Sequence, residues 1–326
     1  MKALVTGSNG FIGSHLVQEL VRRAWTVRGL VRSTSNRRAL EGLAIEWAVG
    51  DTRDKESLRR AVRDVDYVFH LAGVIDAPDW KSYFEANTRG TQNLIEASAE
   101  ENPGLRKFVY VSSISAAGPS PCDKPGTEED ECRPDSDYGR SKRLAEEAVL
   151  AAGDKLPVTI IRPPNVLGPR QKELYQSIKL IRRRVMPLVG TGEPQTSLAD
   201  VSDVVAALIL AAERPESRGR VYFVTDGHGY AWREVTEAIA DALGRKRFYL
   251  KVPYGLQLAT AGLSEFAARL RKTKPALTRI NVAATRTACW IFDSSRIERE
   301  LGFRPAMDMR ASVRRTVGWY REKGLI

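Results

Sequence analysis

Short continuous apolar runs recur through the first half of the chain, at Lys2–Thr6, Thr26–Val31, Ala44–Val49, Tyr67–Leu71, Lys107–Ser112 and Val158–Arg162, and read as strands. Helix-like stretches lie between them at Ile12–Arg23, Lys55–Val65, Trp80–Glu100 and Tyr138–Ala152. Apolar strands spaced by helices are the pattern of a parallel sheet covered on both faces. The first half therefore predicts an α/β, doubly wound (Rossmann) fold.

After Arg162-Pro163-Pro164 the alternation loosens. Loops at Val189-Gly190-Thr191-Gly192 and Thr225–Gly229 separate longer helical stretches at Trp232–Leu243 and Leu256–Arg271. The last segment, Met309–Glu322, carries Val313, Val317 and Tyr320 at helical spacing. This part reads as a smaller, irregular C-terminal substrate lobe. With no repeat, low-complexity tract or flexible linker, the two lobes are expected to share a cleft. The expected division is a dinucleotide-binding domain at 1–163, to which 198–224 returns, and a substrate lobe of 164–197 and 225–326. Tyr175, Met186, Leu188, Tyr254, Leu258 and Trp290 either line an apolar pocket there or pack its core.

Composition narrows the class. A chain of 326 residues with 43% hydrophobic and 28% charged residues is ordinary globular protein, which excludes disordered and collagen-like chains. Its three cysteines, Cys122, Cys132 and Cys289, are odd in number and lack C-x-x-C spacing, so neither a disulfide framework nor a metal site is predicted, and a reducing, cytoplasmic location is expected. The apolar start ends at Thr6-Gly7, too short for a signal-peptide core. The run Val204–Ala212, bounded by Asp203 and Glu213, is too short to span a bilayer. The net charge of +11 is spread over scattered basic clusters without interleaved aromatics, which argues against nucleic acid.

Candidate chemistry begins at the first strand end, where TGSNGFIG opens a helix. Gly7 permits a tight turn, Gly10 lets backbone N–H groups approach a pyrophosphate, and Gly13 lets the helix pack close to the sheet. Asn9, Phe11 and Ile12 complete this cofactor loop. After the second strand, Arg32-Ser33-Thr34-Ser35-Asn36-Arg37-Arg38 holds no carboxylate to take the ribose hydroxyls of NAD. Arg32 with Arg37 or Arg38 suits a 2′-phosphate instead, so NADP(H) is favoured and NAD(H) remains open. Tyr138 and Lys142, at i and i+4, set a phenol and an ammonium on one helix face, about 6 Å apart along its axis. A nearby cation lowers a phenol's pKa towards the range useful for acid-base work. Ser112 and Ser113 end a strand at the edge where parallel sheets hold ligands.

Together these residues resemble the extended short-chain dehydrogenase/reductase family, also described as NAD-dependent epimerase/dehydratase-like. TGSNGFIG resembles its cofactor signature, DTRD at Asp51–Asp54 its adenine-side turn, and HLAG at His70–Gly73 its fourth-strand motif. NTRGTQNL from Asn87, VSSISAAG, YGRSK, RPPNVLGP from Arg162, DVSDV from Asp200 and FDSSRIERELGFRP are similar to further motifs, so the resemblance covers essentially the whole chain. It implies Tyr138 as general acid or base, Lys142 as the group that tunes it and holds the nicotinamide ribose, and Ser113, five residues before Gly118, as the active serine. Asp51 and Thr52 would lie at the adenine, Leu71, Ala72, Gly73, Val111 and Pro164 along the cofactor, and Asn87 would support the active-site backbone or water. His70 reads as a packed strand-end residue. Homodimerisation through the helices Trp80–Glu100 and Tyr138–Ala152 is also implied.

Auxiliary positions separate the family's reactions. Ile114 and Ser115 stand where dehydratases carry an Asp-Glu pair, and Thr196 stands near where 4-epimerases carry a diphosphate-binding arginine. Asn165 and Arg170 resemble the epimerases' phosphate-contacting stretch. Ala116-Ala117-Gly118 and FVTDGHGYAWREV look more like the 3β-hydroxysteroid dehydrogenase and dihydroflavonol-reductase branch. The reading is an NAD(P)-dependent oxidoreductase interconverting a carbonyl and a secondary alcohol. The alternatives are a sugar-nucleotide epimerase with tightly bound NAD and a non-catalytic NAD(P)-binding regulatory protein.

Overall fold

The computed structural model describes residues 1–183, 186–188, 194–245, 249–251, 254–271 and 289–326. The loop expected at Val189–Gly192 lies outside the described residues. So do the side chains of Met186, Leu188 and Tyr254 among the candidate pocket residues.

Seven parallel strands form the main sheet: β1 (Lys2–Thr6), β2 (Thr26–Val31), β3 (Ile45–Val49), β4 (Tyr67–His70), β5 (Lys107–Val111), β6 (Val158–Arg162) and, added later in the chain, Arg220–Phe223. Across the sheet the order is Arg220–Phe223, β6, β5, β4, β1, β2, β3. β1 is central, with Thr6 in register with Leu30 on one side and His70 on the other. The connections reverse direction between β1 and β4. A sheet of this kind opens a crevice at the carboxyl ends of its strands there.

Helices cover both faces because the strands are apolar on both. On one face, α1 (Phe11–Arg22) and the helix Val201–Glu213 bury Leu16, Val17, Leu20, Val204 and Leu208 against Ala3, Val5, Phe69 and Val109. On the other, α2 (Lys55–Val62), α4 (Gly90–Glu101) and α5 (Asp137–Ala151) bury Leu58, Leu94, Ala145 and Val149 against Leu4, Val68, Phe108 and Ile160. Side chains fix the starts of three of these helices: Asp54 accepts from the amides of Glu56 and Ser57, Ser136 from that of Gly139, and Asp200 from that of Ser202. A third core joins the helices Lys172–Arg182, Trp232–Leu243 and Met309–Glu322 through Ile178, Ile239, Val313 and Val317.

Two expectations are corrected. The continuous helix expected over Trp80–Glu100 is instead α3 (Trp80–Tyr83), a π-helical turn at Phe84–Arg89, and α4. The wider turn puts Asn87 inside the protein, where its side chain has partners on two other segments. Second, Cys122 and Cys289, 167 residues apart, form a disulfide, whereas Cys132 is free. Cysteine spacing did not signal this pair, because the two segments meet only in the folded chain, where Ser120 and Cys289 form an antiparallel bridge. The pairing removes the cysteine argument for a reducing compartment. Among the described residues, no helix is long and apolar enough to cross a membrane, and no His, Cys, Asp or Glu group is arranged to hold a metal ion.

Candidate active site

The carboxyl ends of β1, β4 and β5 deliver three loops to one edge of the sheet. In the first, Gly7 has φ +67°, and a Cβ there would lie 2.8 Å from the Ala72 nitrogen, so only glycine passes this close to the β4 loop. A Cβ on Gly13 would lie 2.1 Å from the Gly7 carbonyl oxygen. The start of α1 is therefore seated against the loop. Its first turn has no side-chain cap and no acidic residue, so the amides around Phe11, Ile12 and Gly13 are suited to an anion. The residues present fit a dinucleotide pyrophosphate.

The adenosine side is built from the ends of β2 and β3. The Asn9 amide donates to the Asn36 carbonyl, tying the glycine loop to the basic turn. Arg37 lies with its guanidinium over the ring of Trp47, while Arg32 is exposed and its backbone N–H donates to Ser35. Asp51 accepts from the backbone and guanidinium of Arg53, which holds its carboxyl below the ordinary range. The Thr52 carbonyl accepts from Asn93, linking this turn to α4.

A chain of hydrogen bonds runs under the β4 loop. Thr6 Oγ1 accepts from the Ala72 N–H and lies 2.7 Å from His70 Nδ1. On the other side, His70 Nε2 lies 2.9 Å from Thr91 Oγ1, and Thr91 donates to the Asn87 carbonyl. With the Thr91 proton committed, Nε2 is the donor, and the Thr6 hydroxyl has a proton to give to Nδ1 of a neutral imidazole. Burial agrees, holding the His70 pKa down to about 3. Asn87 then fixes the loop itself: it accepts from the Val74 N–H and donates to the Val74 carbonyl and to Ser141 on α5.

On α5, Tyr138 and Lys142 meet the end of β5. A hydrogen bond joins the Tyr138 phenol to Ser113, whose Oγ also accepts from the Ser115 N–H. The other serine, Ser112, is buried and its Oγ has no partner. Lys142 is buried, donates to the Val111 carbonyl at 2.7 Å and lies against the ring of Tyr110. Burial pushes the Tyr138 phenol up to about 12, with the Ser113 bond pulling the other way and Tyr83 adding to the rise. The lowering expected from Lys142 does not prevail here. Burial also brings Lys142 itself down to about 7, against the pull of Glu146.

Three side chains at this site carry no spacing signal in the sequence. Tyr83 lies 6.2 Å, ring to ring, from Tyr138 and donates to the Ile75 carbonyl. Tyr110 and Trp47 are strand residues that read as ordinary core. Of the candidate pocket residues, Trp290 packs, as Ala117 does, against the small cluster of Ile114, Phe223 and Phe292. Tyr175 instead stacks on Tyr320 of the last helix. Pro164 is buried just after β6. Arg170 donates to Gln18 on α1, and Asn165 is exposed.

Residues 3–224 match the family described as NAD dependent epimerase/dehydratase family. Sterol demethylase protein B of Methylococcus capsulatus is 32% identical over 339 residues, covering 100% of both chains. UDP-glucose 4-epimerase of Vibrio cholerae is 31% identical, covering 83% of this chain and 85% of its own. A 4-hydroxy-2-methyl-3-oxo-4-farnesyl-3,4-dihydroquinoline-1-oxide ketoreductase of Stigmatella aurantiaca is 30% identical, covering 81% of this chain and 80% of its own.

Proposed function

The chain belongs to the NAD-dependent epimerase/dehydratase family and is an enzyme of NAD(P)-dependent oxidoreduction, and we propose that it interconverts a carbonyl and a secondary alcohol on an apolar substrate, with Tyr138 moving the proton. The observation that carries this reading is the Ser113–Tyr138 hydrogen bond beside the buried ammonium of Lys142, at the sheet edge where the glycine loop also ends. When bound, the nicotinamide supplies or takes the hydride at the carbinol carbon.

Each residue has a separate task. The Ser113 hydroxyl orients the substrate oxygen. The Tyr138 phenol gives its proton to that oxygen in reduction and takes it back in oxidation. Lys142 donates to the nicotinamide ribose and biases the phenol through its charge. The loop of Leu71, Ala72 and Gly73, held by Thr6 and Asn87, forms one wall of the cofactor cleft. Gly7 to Gly13 hold the pyrophosphate, Asp51 and Thr52 meet the adenine, and Val111 and Pro164 flank the nicotinamide. Arg32 and Arg37 favour NADP(H) over NAD(H). Residues 1–163 with 198–224 form the cofactor domain, the rest the substrate lobe, and the segments Trp80–Glu100 and Tyr138–Ala152 pair two copies in a homodimer.

The apolar substrate class is supported by Ile114, next to the active serine in the chain, with Trp290 and Ala117 packed against its cluster, and by the sterol and farnesyl names of two relatives. The 31% identity to a UDP-glucose 4-epimerase favours the second reading, a sugar-nucleotide enzyme. Arg170 faces α1 and Thr196 replaces the diphosphate-binding arginine, which weigh against it. The deciding assay follows NADPH and NADH oxidation against 3-keto sterols, prenylated ketones and UDP-sugars. Turnover with apolar ketones that disappears in Tyr138→Phe supports the proposal. Retained cofactor with interconversion of UDP-sugars alone would replace it with the epimerase.

A further inference from the structure

We propose that the stacked rings of Tyr110 and His70 form a platform that holds the Lys142 side chain as a charged ammonium, making Tyr110 a positioning residue for cofactor binding. The Lys142 nitrogen lies 4.2 Å from the centre of the Tyr110 ring. Behind that ring, His70 stacks at 5.5 Å with an interplanar angle of 28°. His70 cannot turn away, because Thr6 and Thr91 hold both ring nitrogens. Its neutral form adds no like charge beneath the ammonium.

The platform answers an electrostatic problem. Lys142 is buried, and among the described residues no carboxylate lies within ion-pair distance of it. Glu146, one turn further along α5, is engaged by Arg162 at 2.7 Å and approached by Arg143. The groups acting on the ammonium are therefore the Val111 carbonyl and Tyr110 ring from β5, His70 from β4 and Glu146 from α5. A carbonyl oxygen accepts from an amine as well as from an ammonium. A ring face discriminates, since its quadrupole attracts only the cation, and most strongly where water is excluded. Removing the ring should shift Lys142 towards the neutral amine without removing the nitrogen.

This rests on the proposal that Lys142 holds the nicotinamide ribose, and the experiment separates the two. NADPH and NADH affinities are measured by fluorescence titration from pH 6 to pH 10 for the wild type, Lys142→Met, Tyr110→Phe, Tyr110→Leu and Tyr110→Met. The wild type should lose affinity as Lys142 deprotonates, and Lys142→Met should show no such step. Tyr110→Phe keeps the ring and should follow the wild type within about twofold. Tyr110→Leu and Tyr110→Met should show the step about one pH unit lower, binding about threefold more weakly midway between the two midpoints, approaching about tenfold just above them, and nearing wild type at the acid end. Loss of packing alone weakens binding equally at every pH. A uniform loss, or an unmoved step in whichever ring-less variant folds, overturns the platform while leaving the role of Lys142 intact. A Lys142→Met profile identical to wild type overturns both.

Discussion

The guanidinium of Arg37 lies 4.9 Å from the centre of the Trp47 ring, a contact between the basic turn after β2 and the middle of β3. It confines a long side chain beside the glycine loop, so little rotamer freedom remains to be lost when a phosphate is gripped. Arg37→Ala is expected to weaken NADPH by about 1.5–3 kcal/mol, the range for hydrogen bonds to a charged group, and NADH by much less. Parallel titrations, with Arg32→Ala beside it, check this. Equal losses for the two cofactors would show that neither arginine reads the 2′-phosphate.

Tyr138→Phe removes the proton but keeps the ring against Tyr83. Its kcat should fall by roughly 10²–10⁴-fold with cofactor affinity unchanged, as steady-state rates and a binding titration would show. Loss of cofactor affinity on the same scale would mean that the phenol serves binding instead.

Burial lowers the Lys142 pKa from 10.5 to about 7, so the folded protein holds fewer protons there than the unfolded chain between those values. Stability contributed by this group therefore rises with pH through that window, and the cost of the buried charge is full below about pH 7. Lys142→Met should melt higher than wild type near pH 6.5, by an amount on the order of 2 kcal/mol, with the gap closing by pH 10. Melting curves across this range test the sign, and a gap that widens with pH contradicts it.

The link between Cys122 and Cys289 closes a loop of 167 residues in sequence. Cys122→Ser should cost about 2–5 kcal/mol in urea unfolding under non-reducing conditions and nothing beyond reductant-treated wild type. Alkylation in denaturant without reductant should leave Cys122 and Cys289 unlabelled and Cys132 labelled. Free thiols at both positions would refute the link.

The sheet was legible because each of its first six strands is a separate apolar run, and observed bounds differ by at most one residue at either end. The long helix over Trp80–Glu100 was not, since a π-helical turn has no period of its own and Asn87 reads as a polar residue on a helix face until Val74 and Ser141 are brought to it. Ser113, Tyr138 and Lys142 are found from spacing and strand ends. Tyr110 and His70 are not, because a buried aromatic beside an ammonium looks in sequence like any other core residue. The direction of the Tyr138 shift was also hidden: a charge four residues away is visible in a string of letters, whereas desolvation depends on everything else that packs around the phenol.

The edge strand Arg220–Phe223 pairs with β6 and completes the sheet more than fifty residues after its neighbour. During synthesis from the N-terminus, β6 must emerge with an open backbone edge and wait until about two thirds of the chain has left the ribosome. The core that joins Ile239 to Val317 closes only when translation is nearly finished. Nascent chains stalled before Phe223 should accordingly be the ones most dependent on chaperones.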